Sequence, residues 1–335
     1  MSQPAFWFRR SSPISTALLP LAWIWQCGHK LNTLLRPRKT IGIPVISVGN
    51  LNIGGTGKTP LTISLVQKLI EQGHTPHIVS RGYGGYIDGP VQVNRYLNLV
   101  SEVGDEPLLL MEFAPTWVAK NRYKGALEAQ KHGASIVILD DGHQNRHLEP
   151  SFSIIIVDNL LGFGNERVIP SGPLREPVKS GLARANCILV SKDHQDLSAF
   201  AKKLPTLAEC PLFCATLKPL AQGLDLNQSK VVAFAGIGNP FKFKRTLIQL
   251  GVDLIEFLPL NDHQVPSESL LRRIERKAKR NDALIVTTEK DAVRLSDKWK
   301  SRVLTIPVRL EIHDWNELKQ LIHHAISSES NLTTN

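Results

Sequence analysis

A glycine-rich segment that ends in lysine and threonine has the residue types needed to hold a phosphate group. Residues 49–60 read GNLNIGGTGKTP. The glycines allow backbone N–H groups to turn onto phosphate oxygens, Lys58 can reach β- and γ-phosphates, and the Thr59 hydroxyl can bind Mg²⁺. Pro60 suits the first turn of a following helix, whose N-terminus carries partial positive charge. The predicted phosphate-binding residues are Gly54, Gly55, Thr56, Gly57, Lys58 and Thr59.

Two adjacent acids, Asp140 and Asp141, follow another apolar run and complete the predicted nucleotide site. A loop of this type works with an acid at the end of a neighbouring strand, which holds the metal ion. Either aspartate can bind Mg²⁺ directly or through water, and the sequence does not decide between them. The loop is a variant, since Asn52 stands where the strict G-x-x-x-x-G-K-[ST] pattern has glycine.

Two further loops carry side chains that can contact a phosphate or a sugar. The segment SRGYGG contains Arg81 and Tyr83 and follows an apolar run, which places it at the carboxyl edge of a parallel sheet. The segment IPSGPLREP contains Arg175, a candidate for neutralising phosphate charge. The competing interpretations are a mobile surface loop for the first segment and an ion pair between Arg175 and Glu176, or another neighbour, for the second.

Asp105 and His263 are candidates for moving a proton. A histidine and an aspartate from different segments can together orient and deprotonate a hydroxyl group. Asp105 lies in GDEP, ahead of an apolar helix, and His263 lies in NDHQ, after a predicted strand. Local sequence alone favours a simple helix N-cap for Asp105 and a structural role for His263.

Two other patterns argue against particular sites. The segment TTEKD at 287–291 has lysine next to aspartate, which does not fit the N-K-x-D spacing of guanine-specific proteins, so a GTPase is disfavoured and a helix cap is expected. Cys210 and Cys214 have no second ligand pair of the kind that zinc sites use. The four cysteines of the chain indicate a reducing compartment and not a disulfide scaffold.

These residues require a framework of strands that alternate with helices. Short apolar runs separated by amphipathic stretches of 10–15 residues predict parallel sheets covered on both faces. The predicted strands are 45–48, 77–80, 136–139, 154–157, 187–190, 231–235, 254–257, 284–287 and 303–307. The predicted helices are 61–71, 122–132, 241–250, 267–280 and 315–326. Prolines at 211 and 219 suggest a linker at 210–220, and a second sheet begins near residue 231.

The N-terminal arm, residues 1–40, concentrates positive charge. The net charge of the chain is +10, and all eight charged residues before Glu71 are basic, whereas a nucleic-acid binder usually spreads its charge over the fold. The apolar run at 17–25, ALLPLAWIW, is too short to span a bilayer and contains Pro20, which we expect to break or kink it. Three tryptophans among cations favour peripheral contact with an anionic membrane. An ordinary helix packed on the domain is the alternative.

Taken together, the motifs resemble those of the tetraacyldisaccharide 4′-kinase family of lipid A biosynthesis. The matching segments occur in order between residues 48 and 295: VGNLNIGGTGKTP, SRGYGG, GDEP, LDDGHQ, PSGPLREP, AGIGNP, NDHQ and TTEKDAVRL. One departure is His143 in DDGHQ, where the family more often has an aromatic or aliphatic residue. This departure concerns the packing near Asp141.

The resemblance implies transfer of the ATP γ-phosphate to the 4′-hydroxyl of a tetraacylated glucosamine disaccharide 1-phosphate, which would give lipid IVA. It places the P-loop on residues 54–59 and the Mg²⁺ site on Thr59 with Asp140 or Asp141. It makes Asp105 and His263 a catalytic pair, gives Lys58 and Arg175 roles in stabilising the transferring group, and assigns substrate contacts to Tyr83, Arg122 and Arg175.

The resemblance also implies an architecture and a location. We expect the arm at 1–40, a P-loop NTPase-like three-layer α/β/α kinase domain at 41–215, and a second, smaller α/β/α domain at 216–335, joined through a two-stranded linker. The enzyme would act at the cytoplasmic face of the bacterial inner membrane. Two alternatives remain at this point: a nucleotide-gated P-loop switch or chaperone ATPase/GTPase, and a soluble kinase of a small metabolite.

Overall fold

The computed structural model describes residues 4–9, 11–34, 38–191, 197–202, 210–220 and 225–332 of the chain. The chain folds into two units, each with its own sheet. The smaller unit is Lys218–Arg309, and the larger unit takes in Gln3–Leu217 and Leu310–Asn335.

A sheet of nine strands organises the described part of the larger unit. The strand order is β13-β8-β7-β6-β1-β5-β2-β4-β3, and the pairs from β8 to β4 are parallel. The two edge strands are antiparallel to their neighbours: β3 pairs with β4 in this way, and β13 pairs with β8 through backbone hydrogen bonds from Leu220 to Pro307 and from His313 to Cys214. Every residue of the four central strands β6, β1, β5 and β2 is buried, so both faces of the sheet are covered. The strands are β1 Val45–Gly49, β2 Pro76–Ser80, β3 Val91–Gln92, β4 Thr116–Val118, β5 Ile136–Asp140, β6 Phe152–Asp158, β7 Cys187–Ser191, β8 Leu212–Pro219 and β13 Val308–Ile312.

The helices of the larger unit connect and cover these strands. Alanines and β-branched residues of α6 and of the neighbouring strands form one core cluster around Trp117. A second cluster lies around Phe163 and includes Ile155 of β6 and Ile188 of β7. The helices are α1 Pro13–Ala17, α2 Leu19–Leu34, α3 Lys58–Glu71, α4 Val100–Val103, α5 Asp105–Leu110, α6 Arg122–Lys131, α7 Val178–Leu182, α8 Ser198–Lys202 and α13 Trp315–Leu332, preceded by a 3₁₀ turn at Ala5–Phe8.

The smaller unit contains a fully parallel sheet of four described strands, in the order β10-β9-β11-β12. Its core packs Val232 and Phe234 of β9 against Trp299, the largest fully buried side chain of the described residues. Its strands are β9 Lys230–Ala235, β10 Asp253–Pro259, β11 Leu284–Thr288 and β12 Leu304–Ile306. Its helices are α9 Pro240–Gln249, α10 Glu268–Asn281, α11 Glu289–Ala292 and α12 Asp297–Lys300.

The two sheets have the parallel α/β organisation that the sequence predicts, with corrections at the edges. Residues 212–219, within the predicted linker at 210–220, form β8, and its flanking prolines leave the interior of the strand intact. The boundary between the two units falls inside this strand, between Leu217 and Lys218, so the segment is a strand and also the place where the chain passes from one unit to the other. The division into units differs from the expected second domain at 216–335. Residues 310–335 group with the larger unit, because β13 is the edge strand of the nine-stranded sheet.

The N-terminal arm is helical, and the helix is interrupted just before Pro20 and not at it. Helix α1 ends with its C-cap at Leu18, and α2 starts at Leu19. Pro20 therefore lies in the first turn of α2, where its missing N–H breaks no helical hydrogen bond. In the part of the chain that the structure describes, no helix has the length and apolar character required to cross a membrane. Arg10 and Arg36, two of the charges counted in the arm, lie outside the described residues.

Candidate active site

The glycine-rich loop lies between β1 and α3, as its sequence predicts. Gly54 and Gly57 have φ values of +108° and +106°, which favour glycine, and Gly57 directly precedes the first residue of α3. The Asn50 amide holds the loop by donating to the Thr56 hydroxyl over 2.9 Å and accepting from Lys58 Nζ over 3.3 Å. The first N–H groups of a helix have no partner within the helix, so the start of α3 suits an anion.

Lys58, Asp141 and Arg175 form a charged network beside this loop. Arg175 Nη1 donates to both oxygens of Asp141 at 2.9 Å and to Gln144 Oε1 at 3.1 Å, and Lys58 Nζ is 3.7 Å from Asp141 Oδ1. Burial by itself would raise the pKa of Asp141, but the two cations outweigh it and lower the pKa to about 2. Asp141 is therefore ionised, and both cations are within reach of the phosphate loop.

Asp140, one residue earlier, has the opposite electrostatic character. It is fully buried at the end of β5 and accepts hydrogen bonds from Thr62 and Ser80, both at 3.3 Å. Burial, reinforced by the charges of Glu106 and Asp141, raises its pKa to about 7. A buried carboxyl group of this kind is readily ionised by a divalent cation, and Mg²⁺ prefers oxygen ligands.

Arg122 lies at the start of α6 and is almost completely buried. Its Nη1 donates to the Ala119 carbonyl at 2.6 Å, and its Nε has no hydrogen-bond partner among the described residues. Burial lowers its pKa to about 10, partly offset by Asp140 and Asp141, so the guanidinium stays charged at neutral pH. Its field helps to hold Asp141 ionised, and its role in substrate binding stays a prediction.

The SRGYGG loop packs closely against the segment at 102–104 and exposes one aromatic ring. A Cβ at Gly85 would lie 2.3 Å from the Glu102 carbonyl oxygen, and one at Gly82 would lie 2.9 Å from that of Val103. Tyr83, between them, has 68% of its surface exposed. This packing leaves the tyrosine ring on the surface, where a ligand can reach it.

Asp105 and His263 belong to different units, so their pairing stays a prediction. The cap interpretation of Asp105 is wrong, because Gly104, with φ +88°, occupies the N-cap position and Asp105 is the first helical residue. Asp105 is buried, and its Oδ1 accepts a hydrogen bond from the Glu106 N–H at 2.9 Å. In the smaller unit, His263 Nε2 lies 3.7 Å from Asp262 Oδ1.

Arg175 is not paired with the adjacent Glu176. Glu176 instead accepts two hydrogen bonds from Arg184 at 2.8 Å, which leaves Arg175 for Asp141. Gln144, which we did not single out in the sequence, links these groups, since its Nε2 donates to the Asn50 carbonyl and to Glu176. Its position three residues after Asp141 in DDGHQ was the available signal.

His143, the departure within DDGHQ, is accommodated as a neutral core residue. Its Nε2 donates to the Gly181 carbonyl at 3.0 Å and its Nδ1 accepts from the Ser153 hydroxyl at 3.0 Å. Burial, assisted by the Arg184 charge, lowers its pKa to about 4. A Cβ at Gly49 would lie 2.4 Å from the His143 Cβ, so the end of β1 packs directly against the backbone and Cβ of His143.

The N-terminal arm contacts the loop that carries Arg175. Trp7 Nε1 donates to the Pro170 carbonyl at 3.0 Å and Trp25 Nε1 to the Arg175 carbonyl at 3.3 Å. Ser15 and Ser171 exchange hydroxyl-to-carbonyl hydrogen bonds of 2.6 Å in both directions. The arm also exposes a run of apolar side chains, namely Leu21, Trp23, Ile24 and Trp25. One side of the arm is thus held by the domain while the other faces solvent.

The TTEKD segment caps a helix, as we expect. The Thr288 side chain accepts a hydrogen bond from the Asp291 N–H at the start of α11.

No cluster of three or more histidine, cysteine or acidic side chains suited to a metal ion occurs among the described residues.

Comparison with known proteins gives one consistent result. The sequence model of a family described as tetraacyldisaccharide-1-P 4′-kinase matches residues 14–327. The tetraacyldisaccharide 4′-kinase of Jannaschia sp. (strain CCS1) is 45% identical over 322 residues, covering 96% of this chain and 98% of the relative. The corresponding kinase of Dinoroseobacter shibae is also 45% identical, covering 94% of each chain.

A solved structure is similar over nearly the whole chain. The crystal structure of LpxK from Aquifex aeolicus in complex with ATP superposes with a TM-score of 0.72 at 26% identity, covering 93% of this chain and 99% of that one.

Proposed function

We propose a mechanism for this chain on the basis of its family. The chain belongs to the tetraacyldisaccharide-1-P 4′-kinase family, and we assign its residues to the steps of that family's reaction. The chain is an ATP-dependent kinase of lipid A biosynthesis. The γ-phosphate of ATP passes to the 4′-hydroxyl of an acylated glucosamine disaccharide 1-phosphate, and the product is the 1,4′-bisphosphate lipid IVA.

The observation that carries the proposal is the Lys58–Asp141–Arg175 network beside the glycine loop. Stabilisation of negative charge on the transferring group is the main catalytic contribution in phosphoryl transfer. Arg175 and Lys58 share one carboxylate, that of Asp141; Arg175 is hydrogen-bonded to it, whereas Lys58 lies 3.7 Å from it. A bound triphosphate offers these cations a second anion, so they can neutralise its charge without leaving the network.

Mg²⁺ fits the oxygen donors at this edge. Thr59 and either Asp140 or Asp141 would hold the ion, and the high pKa of the buried Asp140 favours a site that takes up a cation. When bound, Mg²⁺ supplies charge neutralisation on the phosphates.

His263 is proposed as the base that accepts the proton of the 4′-hydroxyl, with Asp105 as its carboxylate partner. Tyr83, Arg122 and Arg175 are proposed to contact the phosphorylated sugar. The exposed position of Tyr83 and the charge of the buried Arg122 support these roles.

The arm is proposed to rest on the cytoplasmic face of an anionic inner membrane, which carries the acylated substrate. Exposed Trp23 and Ile24 support this assignment, since aromatic and aliphatic side chains beside cations favour the headgroup layer. Co-sedimentation of the full chain with phosphatidylglycerol-containing vesicles should fall in a Trp23→Ser, Ile24→Ser double variant. It should not change in Tyr96→Ser, a matched control with a 93% exposed ring outside the arm. Equal loss in both variants would contradict the assignment.

Transfer of label from γ-labelled ATP to a detergent-dispersed disaccharide 1-phosphate tests the function itself. We expect label on the lipid with the wild-type protein, and strongly reduced labelling with His263→Ala although ATP still binds. Release of inorganic phosphate without lipid labelling would instead favour a nucleotide-dependent switch. Unchanged turnover in His263→Ala would remove His263 from the chemistry.

A further inference from the structure

Three sequence motifs meet at one buried corner of the smaller unit, where β9 and β11 end. They are AGIGNP at 235–240, NDHQ at 261–264 and TTEKDAVRL at 287–295. The proposed function uses only His263 from this set. The other residues at the corner are Gly236, which follows β9, and Asp291 and Arg294, which follow Thr288 at the end of β11.

Asp291 and Arg294 form an ion pair that is shielded from solvent. Arg294 Nη1 lies 2.8 Å from Asp291 Oδ1, and the exposed fractions of the two side chains are 1% and 0%. Thr288 Oγ1 donates to Asp291 Oδ2 at 2.6 Å. Each carboxylate oxygen therefore accepts at least one hydrogen bond from a side chain, which is the condition for burying such a charge.

The ion pair holds both backbone groups of Gly236. The Gly236 N–H donates to the two oxygens of Asp291 at 3.0 Å, and the Gly236 carbonyl accepts from Arg294 Nη1 at 3.0 Å. A Cβ at this position would lie 3.0 Å from both Asp291 Oδ1 and the Asn261 carbonyl oxygen. The peptide groups on either side of Gly236 are thus fixed by side chains that are 55 and 58 residues away in sequence.

The same Gly236 carbonyl anchors His263. The His263 N–H donates to it at 3.1 Å, so His263 and Arg294 share one acceptor. His263 has φ +60°, a left-handed conformation that is unfavourable for a residue other than glycine. The turn around it is closed by the Gln264 side chain, which accepts from the Asn261 N–H at 2.9 Å. A strained backbone of this kind persists only where its surroundings fix it.

We propose that Asp291 and Arg294 are positioning residues for His263, acting through Gly236. This inference rests on the proposed function, which makes His263 the base. The ion pair holds the Gly236 carbonyl in place, and this carbonyl accepts the hydrogen bond from the His263 N–H. The backbone of His263 is therefore fixed, which limits where its imidazole can lie. A buried ion pair adds little stability compared with apolar residues of the same volume, so its value here lies in specifying one conformation.

Arg294→Lys is the sharpest test, because lysine keeps the charge but its ammonium group lies one bond closer to the backbone than Nη1, the atom that contacts both Asp291 and the Gly236 carbonyl. We expect turnover to fall about tenfold to a hundredfold, since displacement of a catalytic group by about 1 Å can cost a hundredfold. ATP affinity should change less than threefold. Arg302→Lys is the matched control, since Arg302 forms an ion pair with Glu275 at 2.8 Å in the same unit, and it should leave turnover unchanged.

A double-variant cycle separates positioning from a general structural role. In the His263→Ala background, Arg294→Lys should cause no further loss of turnover, because the side chain that it positions is already absent. An equal loss in both backgrounds would overturn the inference. Asp291→Asn should show the same dependence on His263; should it fail to fold, the cycle with Arg294→Lys still decides.

The outcomes also distinguish this inference from the proposed function. If His263→Ala leaves turnover intact, the catalytic role of His263 fails and the positioning role fails with it. If His263→Ala abolishes turnover while Arg294→Lys and a folded Asp291→Asn behave like Arg302→Lys, only the positioning role is overturned.

Discussion

Two places in the molecule have similar residues but differ in how exposed their charged groups are. One is the edge of the larger unit at the glycine loop, called the loop edge, and the other is the buried corner of the smaller unit around Gly236. Each has aspartate, arginine and threonine near the carboxyl ends of parallel strands, and each holds one non-glycine residue with positive φ, Asp141 at +51° and His263 at +60°. At the loop edge Asp141 is 30% exposed and its second cation, Lys58, is at 3.7 Å. At the corner Asp291 is completely buried and hydrogen-bonded at both oxygens.

This difference separates a network that can exchange partners from one that cannot. Around Asp140 and Asp141, the pKa values of two adjacent carboxyl groups are driven apart, to about 7 and about 2, as at sites where a ligand changes the charge balance. Around Asp291, the hydrogen bonds are satisfied within the protein and fix a backbone. The arrangement at the loop edge suits chemistry on a phosphate, and the arrangement at the corner suits the positioning of His263.

The largest effect is expected for Lys58→Ala at the loop edge. Removing one preorganised charge that stabilises a transition state costs about a hundredfold to a thousandfold in turnover. Single-turnover transfer of label to the lipid measures it. Lys68→Ala is the control on the same helix, because Lys68 forms an exposed pair with Glu71 and should be silent. A loss of turnover of less than tenfold in Lys58→Ala would contradict the catalytic role given to the loop edge.

The next effect is expected for Asp140→Asn, which should lower turnover about a hundredfold and yet stabilise the protein without metal. The pKa of Asp140 is raised in the folded state, so its stabilising contribution is present below about pH 4 and is lost as the pH rises through about 7. In EDTA at pH 8, the variant should therefore have the higher melting temperature, and the difference should shrink at pH 5. A variant that is less stable at pH 8 would contradict this account of the loop edge.

Substitution of His143 tests whether a buried side chain with both ring nitrogens hydrogen-bonded contributes to stability and not to turnover. Its pKa is lowered to about 4 in the folded state, so its contribution is complete above about pH 6.5 and is lost as the pH falls through about 4. Between pH 7.5 and pH 5 this loss is about 2 kcal/mol. Urea unfolding of wild type and His143→Gln at both pH values measures it, and the variant should lack this part of the decrease. Parallel pH curves would show that His143 is not the group responsible.

The smallest effect is expected for Trp25→Phe in the arm. Phenylalanine keeps the apolar ring but loses the indole donor to the Arg175 carbonyl, so turnover should change by less than threefold. The steady-state rate on dispersed lipid checks this. A tenfold loss would mean that the arm positions Arg175, and would move part of the positioning function into the larger unit.

The sequence predicts the local half of this arrangement. The strand, the glycine loop and the helix that starts at Lys58 are contiguous, and the acids of β5 follow an apolar run, so both could be placed from residue patterns. The long-range pairings could not. Arg175 reaches Asp141 across 34 positions and Asp291 reaches Gly236 across 55, and no local pattern selects these partners over Glu176 or a helix cap.

The missed strands have a related physical cause. Short strands such as β4 and β13 have no long apolar run of their own and are defined by pairing with a neighbour. The start of α2 at Leu19 depends on Pro20 occupying the first turn, which the run ALLPLAWIW does not reveal by itself.

The most direct test of the account is the position of the phosphate on the product. The protein is given γ-labelled ATP and the disaccharide 1-phosphate, and the lipid is then treated with mild acid, which removes a phosphate at the anomeric carbon and leaves one on an ordinary secondary hydroxyl. The account predicts label that stays on the lipid through this treatment with the wild type and with Lys68→Ala, and label that is nearly absent with Lys58→Ala. Label that is released by the acid, or that appears only as inorganic phosphate, would contradict it.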